Sequence, residues 1–306
     1  MEKSLLSDEV LRQVLIVSVL VGIFCRGFVL VVIDKQYPSR PQDYIEQIIS
    51  SGLSAALGAI ALPALLDEEY AALTFFAIAI QQFQGLAEQE RITLKNTDQD
   101  EIVPKGEAYV EEISSTYESR SYISLISALA ASITYITINL RFVKNFWICT
   151  VGAIISGIIV GIIFRKYLKR KSVEDIADIF PAEINFEDSV MKVNGVYIAN
   201  VGLSDTRKKY TEKGLAIEIF PKEPKYFGIL NDIGQRQSII HNIYIHLGIN
   251  KDIDEYDILS ISRTSNKTKS VIIVFVPILK DMQAMIKAAQ SAPILEVAKT
   301  KEGYAK

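Results

Sequence analysis

The apolar residues of this chain gather into blocks ahead of Arg165, and the charged residues gather between and after those blocks. Residues 11–33 read LRQVLIVSVLVGIFCRGFVLVVI, close to the ~20 residues that carry a helix across the hydrocarbon core of a bilayer. Glu2, Asp8 and Glu9 lead this block, and Asp34-Lys35-Gln36-Tyr37 follow it. A secretory signal peptide would begin basic and end at a small-residue cleavage site, so the block is expected to be an uncleaved span. Residues 45–66 are the second candidate. Ser51, Ala55, Ala59 and Pro63 recur there every four positions and predict a face on which helix backbones approach closely. Residues 70–87 are ambiguous, because Gln81 and Gln82 interrupt a short apolar run. A tilted span, a re-entrant piece and an interfacial helix stay open there, with the span preferred. Residues 122–142 and 146–164 complete the series. Only Val143-Lys144-Asn145 separates them, which predicts a tight helical hairpin. The last block carries Gly157-Ile-Ile-Val-Gly161 with Ala153 one step upstream. That is a packing face for a helix of this chain or of another copy.

These patterns predict an α-helical transmembrane domain of four or five spans over residues 1–164, with a cytoplasmic helical insert at 88–121. A small cytoplasmic α+β domain is expected over residues 165–306. Orientation rests on Arg165, Lys166, Lys169, Arg170 and Lys171, the densest basic cluster, which follows the last block at once. Cytoplasmic flanks carry excess Lys and Arg, and the same side chains suit contact with anionic lipid. The expected location is the cell membrane, multi-pass, with the C-terminal domain inside. Four spans put the N-terminus inside and five put it outside; the basic residues around the first block are too evenly matched to choose.

Residues 84–100 read as a charged helix followed by a polar loop, with Arg91 and Lys95 placed to pair with upstream glutamates. Pro104 and Gly106 punctuate it. A helix from Glu107 then leads into the next span, and Tyr109, Val110, Ile113 and Tyr117 form an apolar stripe along it. Such a stripe outside lipid needs a partner: another helix, a subunit or the membrane interface. Beyond Ser172, a short helix is expected at 173–180. Asn194-Gly195 joins two alternating runs, 190–193 and 196–201, as a hairpin turn with positive φ at both residues. A strand at 215–220, an amphipathic helix at 232–247, a second hairpin of 258–263 with 271–276 and a helix at 280–290 follow. The tail beyond residue 294 is expected to fray.

Composition adds little, because 49% hydrophobic residues is ordinary for a soluble domain. From Arg165 onward 22 basic residues face 18 acidic ones, and ahead of it 11 face 18. No polybasic surface for nucleic acid stands out. Cys25 and Cys149 lie singly inside apolar blocks and suggest neither a disulfide framework nor a metal site. His241 and His246 are five apart, ~140° around a helix, whereas zinc ligands on one helix prefer spacings of three or four. No Walker loop, dinucleotide fingerprint or nucleophile elbow is present. The run from Ser204 to Lys209 is polar enough to hold a phosphate, but a solvated loop is the preferred reading. No catalytic residue, cofactor or metal is therefore expected. The polar residues in apolar blocks are more informative. Arg26 and Glu46 fall toward the same membrane face of two antiparallel helices, and a charge in hydrocarbon costs several kcal/mol unless it pairs or snorkels. A structural ion pair is preferred; an ion or solute path including Gln81 and Gln82, or a contact between subunits, remains open.

Pro41-Gln-Asp-Tyr-Ile-Glu-Gln-Ile-Ile49 carries a resemblance, extended by Ala55-Ala-Leu-Gly-Ala59, Leu62-Pro-Ala-Leu-Leu66, Glu69-Tyr70, Thr74-Phe75 and Gln81-Gln82-Phe83. The stretch resembles the YIEGIA family, membrane proteins of endospore-forming bacteria named for that hexapeptide. Tyr44, Ile45, Glu46 and Ile48 match it, while Gln47 and Ile49 replace small residues. The motif likeness covers residues 41–94, and the layout of a membrane half followed by an α+β half extends it. The resemblance implies a link to sporulation and a small cytoplasmic partner protein. It implies no reaction and carries over no catalytic residue.

The leading expectation is a non-enzymatic integral membrane protein: an oligomeric or scaffold component linked to sporulation, whose cytoplasmic domain docks partners. Its partners would be membrane lipids, further copies of itself and the small protein, with no nucleic acid. A channel or transporter with a polar path near Arg26 and Glu46 is the alternative. A membrane-bound enzyme acting on lipid or nucleotide is the third reading.

Overall fold

The computed structural model describes residues 7–33, 41–66, 70–168, 171–251, 255 and 257–303. Side chains are described at these positions except 28–33, 41–44, 46, 47, 70–73, 75, 79, 82, 83, 116–120 and 168. The chain divides into two compact units: Met1–Glu90 with Ser114–Lys169, and Arg91–Ile113 with Arg170–Lys306.

The first unit is helical. It is built from α1 (Asp8–Ile33), α2 (Pro41–Leu66), the part of α3 (Tyr70–Gln99) before residue 91, the part of α4 (Glu107–Arg141) after residue 113, and α5 (Phe146–Leu168). Among the described residues, Asp8–Gly27, Ile48–Leu66, Ser121–Arg141 and Phe146–Tyr167 are long and apolar enough to cross a membrane. The fifth candidate, 70–87, is the first part of the single 30-residue α3. Residues 84–100, expected as a charged helix followed by a polar loop, are helical almost throughout, because α3 runs unbroken to Gln99.

Helical spacing sorts the side chains of α1. Val14, Val17, Val21 and Cys25 are buried, whereas Ile16, Leu20 and Phe24 are exposed on another face. The buried set packs with Ala131, Tyr135 and Ile136 of α4 and with Cys149 and Ala153 of α5. Two polar links cross this packing. The Tyr135 hydroxyl donates to Gln13 Oε1 at 2.8 Å, and Ser132 Oγ donates to the carbonyl of Ala59 at 2.9 Å.

The second unit is α+β. In chain order it contains α6 (Val173–Ile176), β1 (Ala177–Ala182), β2 (Ile184–Glu187), β3 (Val190–Val193), β4 (Val196–Asn200), α7 (Ser204–Lys213) and β5 (Leu215–Pro221). A 3-10 turn, Pro224–Tyr226, leads to α8 (Phe227–Asn231), α9 (Ile233–Leu247), β6 (Ser260–Ser265), β7 (Ser270–Phe275), α10 (Met282–Ser291) and α11 (Glu296–Lys299). Four strands form an antiparallel sheet in the order β1-β5-β7-β6, and three form a second sheet in the order β2-β3-β4. β7 is interior to its sheet and buried at all six positions, as its unbroken apolar run SVIIVF demands. Asn194 and Gly195 adopt φ of 47° and 77°, which closes the β3–β4 hairpin.

Three expectations are corrected here. Only Val173–Ile176 of the expected 173–180 helix is helical; the rest is β1, with Pro181 opposite Ile217 of β5. An edge strand tolerates a proline, whose missing N–H costs no ladder bond on the free side. The expected Ser204–Lys209 loop is the start of α7. The tail does not fray through its described part: Ile294, Leu295 and Ala298 are buried, and the Gly303 N–H donates to the carbonyl of Lys225 at 2.9 Å.

Candidate functional site

Residues 91–113 are built into the core of the second unit. Val103 and Tyr109 belong to the same buried cluster as Ile239, Ile240 and Ile243 of α9, and Ala108 and Ile113 pack against it. The apolar stripe on α4 therefore finds its partner in the α+β core; Tyr117, its last member, has a side chain outside the described residues. The turn between α3 and α4 is held by Asp98. Its buried carboxylate accepts the backbone N–H groups of Lys105 at 2.5 Å and Gly106 at 3.0 Å. Gly106 is favoured by its φ of +88°, and a Cβ there would also press on the Gln237 side chain at 3.0 Å. Arg91 pairs with Glu111 at 3.2 Å and Lys95 with Glu107 at 2.9 Å. The partners in both of these pairs lie downstream on α4. The Lys95 ammonium holds the Glu107 carboxyl below its usual range, but exposed pairs of this kind contribute little to stability.

Polar contacts complete the docking. Gln237 Nε2 donates to the Pro104 carbonyl at 2.5 Å. Glu112, buried, accepts the Glu296 N–H at 3.1 Å. Gln235, fully buried, donates to the Pro293 carbonyl at 2.9 Å and accepts the Leu295 N–H at 2.8 Å. His241 lies between the rings of Tyr109 and Tyr244, with centroids 6.3 and 5.9 Å away, and its Nδ1 is 2.7 Å from the carbonyl of Val103. Burial pushes its pKa down from 6.5, the bond to Val103 opposes this, and Lys105 adds to the depression. Asp232 caps α9 by accepting the Gln235 N–H at 3.0 Å and meets the Lys301 ammonium. Burial alone would raise its pKa, but the Lys301 contact and the backbone N–H groups outweigh that and hold it below its usual value.

The residues expected from sequence are distributed as follows. Ser51, Ala55 and Ala59 are buried on α2, where a Cβ on Gly22 would lie 2.6 Å from Ala55 Cβ and a Cβ on Gly58 2.1 Å from the Leu125 carbonyl oxygen. Ala153, Gly157 and Gly161 are buried on α5; a Cβ on Gly157 would lie 2.2 Å from Val21 Cγ1, and one on Gly161 3.1 Å from Cys25 Sγ. Both small faces are thus occupied by helices of the same chain. Arg26 is buried, as are Ser18, Ser124 and Ser127. Gln81, Ile45 and Ile48 are exposed. The side chains of Tyr44, Glu46 and Gln82, and with them the Arg26–Glu46 pair, lie outside the described residues, as do Lys169 and Arg170. Lys166 and Lys171 are exposed and Arg165 is half-buried.

The basic groups of the Ser204–Lys209 run are engaged. Lys209 pairs with Glu255, and Arg207 Nη1 donates to the carbonyls of Val201 and Gly202 at 2.9 and 2.7 Å. His246 is exposed and its Nδ1 contacts the Asn242 carbonyl, so the two histidines serve different environments. Among the described residues no group of three or more His, Cys, Asp or Glu gathers as a metal site. Sequence reasoning missed Glu218, a buried carboxylate in β5 that accepts Asn194 Nδ2 at 2.7 Å and Ser270 Oγ at 2.5 Å. A lone acid inside the apolar run LAIEIF was its only signal.

A family model described as YIEGIA protein matches residues 14–304. The chain belongs to the YIEGIA family. The match takes in both units, well beyond the hexapeptide region. The chain is also similar to Uncharacterized protein YphB of Bacillus subtilis (strain 168), 28% identical over 282 residues, which is 92% of each chain. No solved structure matches. In this YIEGIA chain the hexapeptide positions 44–49 fall near the start of α2, and Ile49, where the family name spells a small residue, is exposed.

Proposed function

We propose that this YIEGIA chain is a non-enzymatic membrane scaffold working in sporulation. It spans the cell membrane four times and presents its second unit to the cytoplasm as a docking module for a partner protein and for other copies. One observation carries the reading: the chain passes between its two units three times, at residues 90/91, 113/114 and 169/170, and the middle segment lends Val103 and Tyr109 to the α+β core. A soluble domain that merely needs an anchor requires one tether. Three tethers, one of them part of the core, bind the folding of the docking module to the helical unit. The exposed apolar rows of the helices support membrane insertion, since such surface on a water-soluble protein invites association. The basic residues after α5 support the inward orientation, and the family resemblance supports the sporulation setting. The full chain in mild detergent is expected to run as an assembly of more than one copy when its mass is measured with the detergent subtracted; a clean monomer overturns the scaffold reading.

A specific observation favours one second reading. Arg26, Ser18, Ser124 and Ser127 are all buried within the helical unit, and buried polar groups between membrane helices mark solute and ion pathways. Ion flux through liposomes carrying the full chain, altered by Glu46→Gln, would favour a channel over a scaffold.

A further inference from the structure

We propose that the turn between α4 and α5 is a lipid anchor, which seats its aromatic residues in the headgroup layer and binds anionic phospholipid through Arg141 and Lys144. The inference rests on reading the four apolar helices as membrane spans, and deepens that reading by naming the lipid. Every residue from 141 to 148 is exposed. Phe142 and Trp147 are 76% and 72% exposed, and the Phe146 and Trp147 rings meet edge to face with centroids 5.4 Å apart. The turn is constructed and does not trail loosely. The N–H groups of Phe142 and Val143 both bond the Ile138 carbonyl, the Cys149 N–H bonds the Asn145 carbonyl, and the Asn145 side chain accepts the Trp147 N–H at 2.9 Å. The aromatic pair is therefore displayed from a fixed backbone.

Two environments fail for this turn. Water leaves Phe142, Val143, Phe146 and Trp147 solvated at a cost, while hydrocarbon strands Arg141 and Lys144, whose charges are expensive there. The headgroup layer accepts both, because tryptophan rings settle at that depth and basic side chains meet phosphate. The run from 141 to 148 holds two basic residues and no acidic one, so its charge complements an anionic lipid surface and not a zwitterionic one.

Trp147 is the only tryptophan of the chain, so its fluorescence reports this turn alone. The full chain is reconstituted into vesicles of phosphatidylcholine, with or without phosphatidylglycerol, and lipids quenching at shallow or at deep positions are added in turn. The shallow quencher is expected to act more strongly than the deep one. Phosphatidylglycerol is expected to lower quenching by aqueous acrylamide about two-fold, and Arg141→Gln with Lys144→Gln to abolish that difference. Stronger deep quenching, or a protein that floats with the vesicles while Trp147 stays as open to acrylamide as a free indole, overturns the anchor and leaves the spans standing. Protection from acrylamide with neither lipid quencher active means that protein covers the turn, and also overturns it. A chain that never floats with vesicles overturns the membrane reading itself.

Discussion

His241 Nδ1 and the Val103 carbonyl oxygen are 2.7 Å apart across 138 residues of sequence. A carbonyl only accepts, so Nδ1 carries the proton and the neutral imidazole donates. Nε2 is buried and meets no partner among the described residues, so a second proton would place a positive charge in the core. The bond ties the 91–113 segment to α9, which makes segment docking sensitive to acid.

That sensitivity has a sign. The folded-state pKa of His241 lies below the ordinary 6.5 because of burial, so the unfolded chain takes up the proton first as pH falls. The stability contribution is full above about 6.5 and is lost as pH drops through the folded value. Hydrogen exchange of the amides in 91–113, measured on the full chain in detergent and corrected for intrinsic rates, is expected to show protection falling over that window. His241→Gln keeps an N–H donor and cannot titrate, so its protection profile should be flat. A wild-type profile equally flat would refute the coupling.

Asp98 gives a second prediction. Asp98→Ala removes the acceptor for two backbone N–H groups in a half-buried turn. Leaving such groups unpaired costs about 1–3 kcal/mol each when buried. The thermal midpoint of the full chain should drop, and exchange should quicken first at Lys105 and Gly106. Asp98→Asn retains one carbonyl acceptor and should lose about half as much.

The sequence was most legible where one local rule fixed the outcome. Asn194-Gly195 predicted its hairpin because positive φ at two consecutive positions suits few residues. The apolar run of β7 and the stripe of α9 announced buried elements. It was least legible where a distant segment decides. Nothing near Ala177–Ala182 signals a strand, and Pro181 argues against one; the strand exists because β5 offers its edge. The stripe that begins at Tyr109 asked for a partner without identifying α9, more than a hundred residues away. At the candidate site the same limit holds: the small faces of α2 and α5 were visible as spacing, but their neighbours, Leu125 and Val21, were not.

Close packing in the helical unit is tested at two glycines of α2. A Cβ on Gly58 would lie 2.1 Å from the carbonyl oxygen of Leu125, a backbone atom that moves only with its helix. A Cβ on Gly52 would meet only the Ile23 side-chain tip, at 3.7 Å. Gly58→Ala should destabilise the unit by about 1–3 kcal/mol through overpacking, whereas Gly52→Ala should gain up to about 1 kcal/mol of helix propensity. Unfolding of the full chain in mixed detergent reads both. Equal effects would mean that α2 and α4 do not pack as closely as described.

The C-terminal segment provides the last test. Its composition suggests a solvated tail, yet Ile294, Leu295 and Ala298 are buried and Gln235 pins the backbone on both sides of Ile294. Gln235→Ala removes both bonds at once and leaves the Pro293 carbonyl and the Leu295 N–H without their partner, a loss of about 2–4 kcal/mol. Deleting residues 292–306 strips Ala292, Ile294, Leu295 and Ala298 from the core as well and takes away the Glu296 N–H that Glu112 accepts. The deletion should therefore lower the thermal midpoint more than Gln235→Ala does, and should loosen the 91–113 segment in hydrogen exchange although the two lie far apart in sequence. A tail that merely frays would give neither result, and an unchanged midpoint after deletion would show that the segment contributes nothing to the second unit.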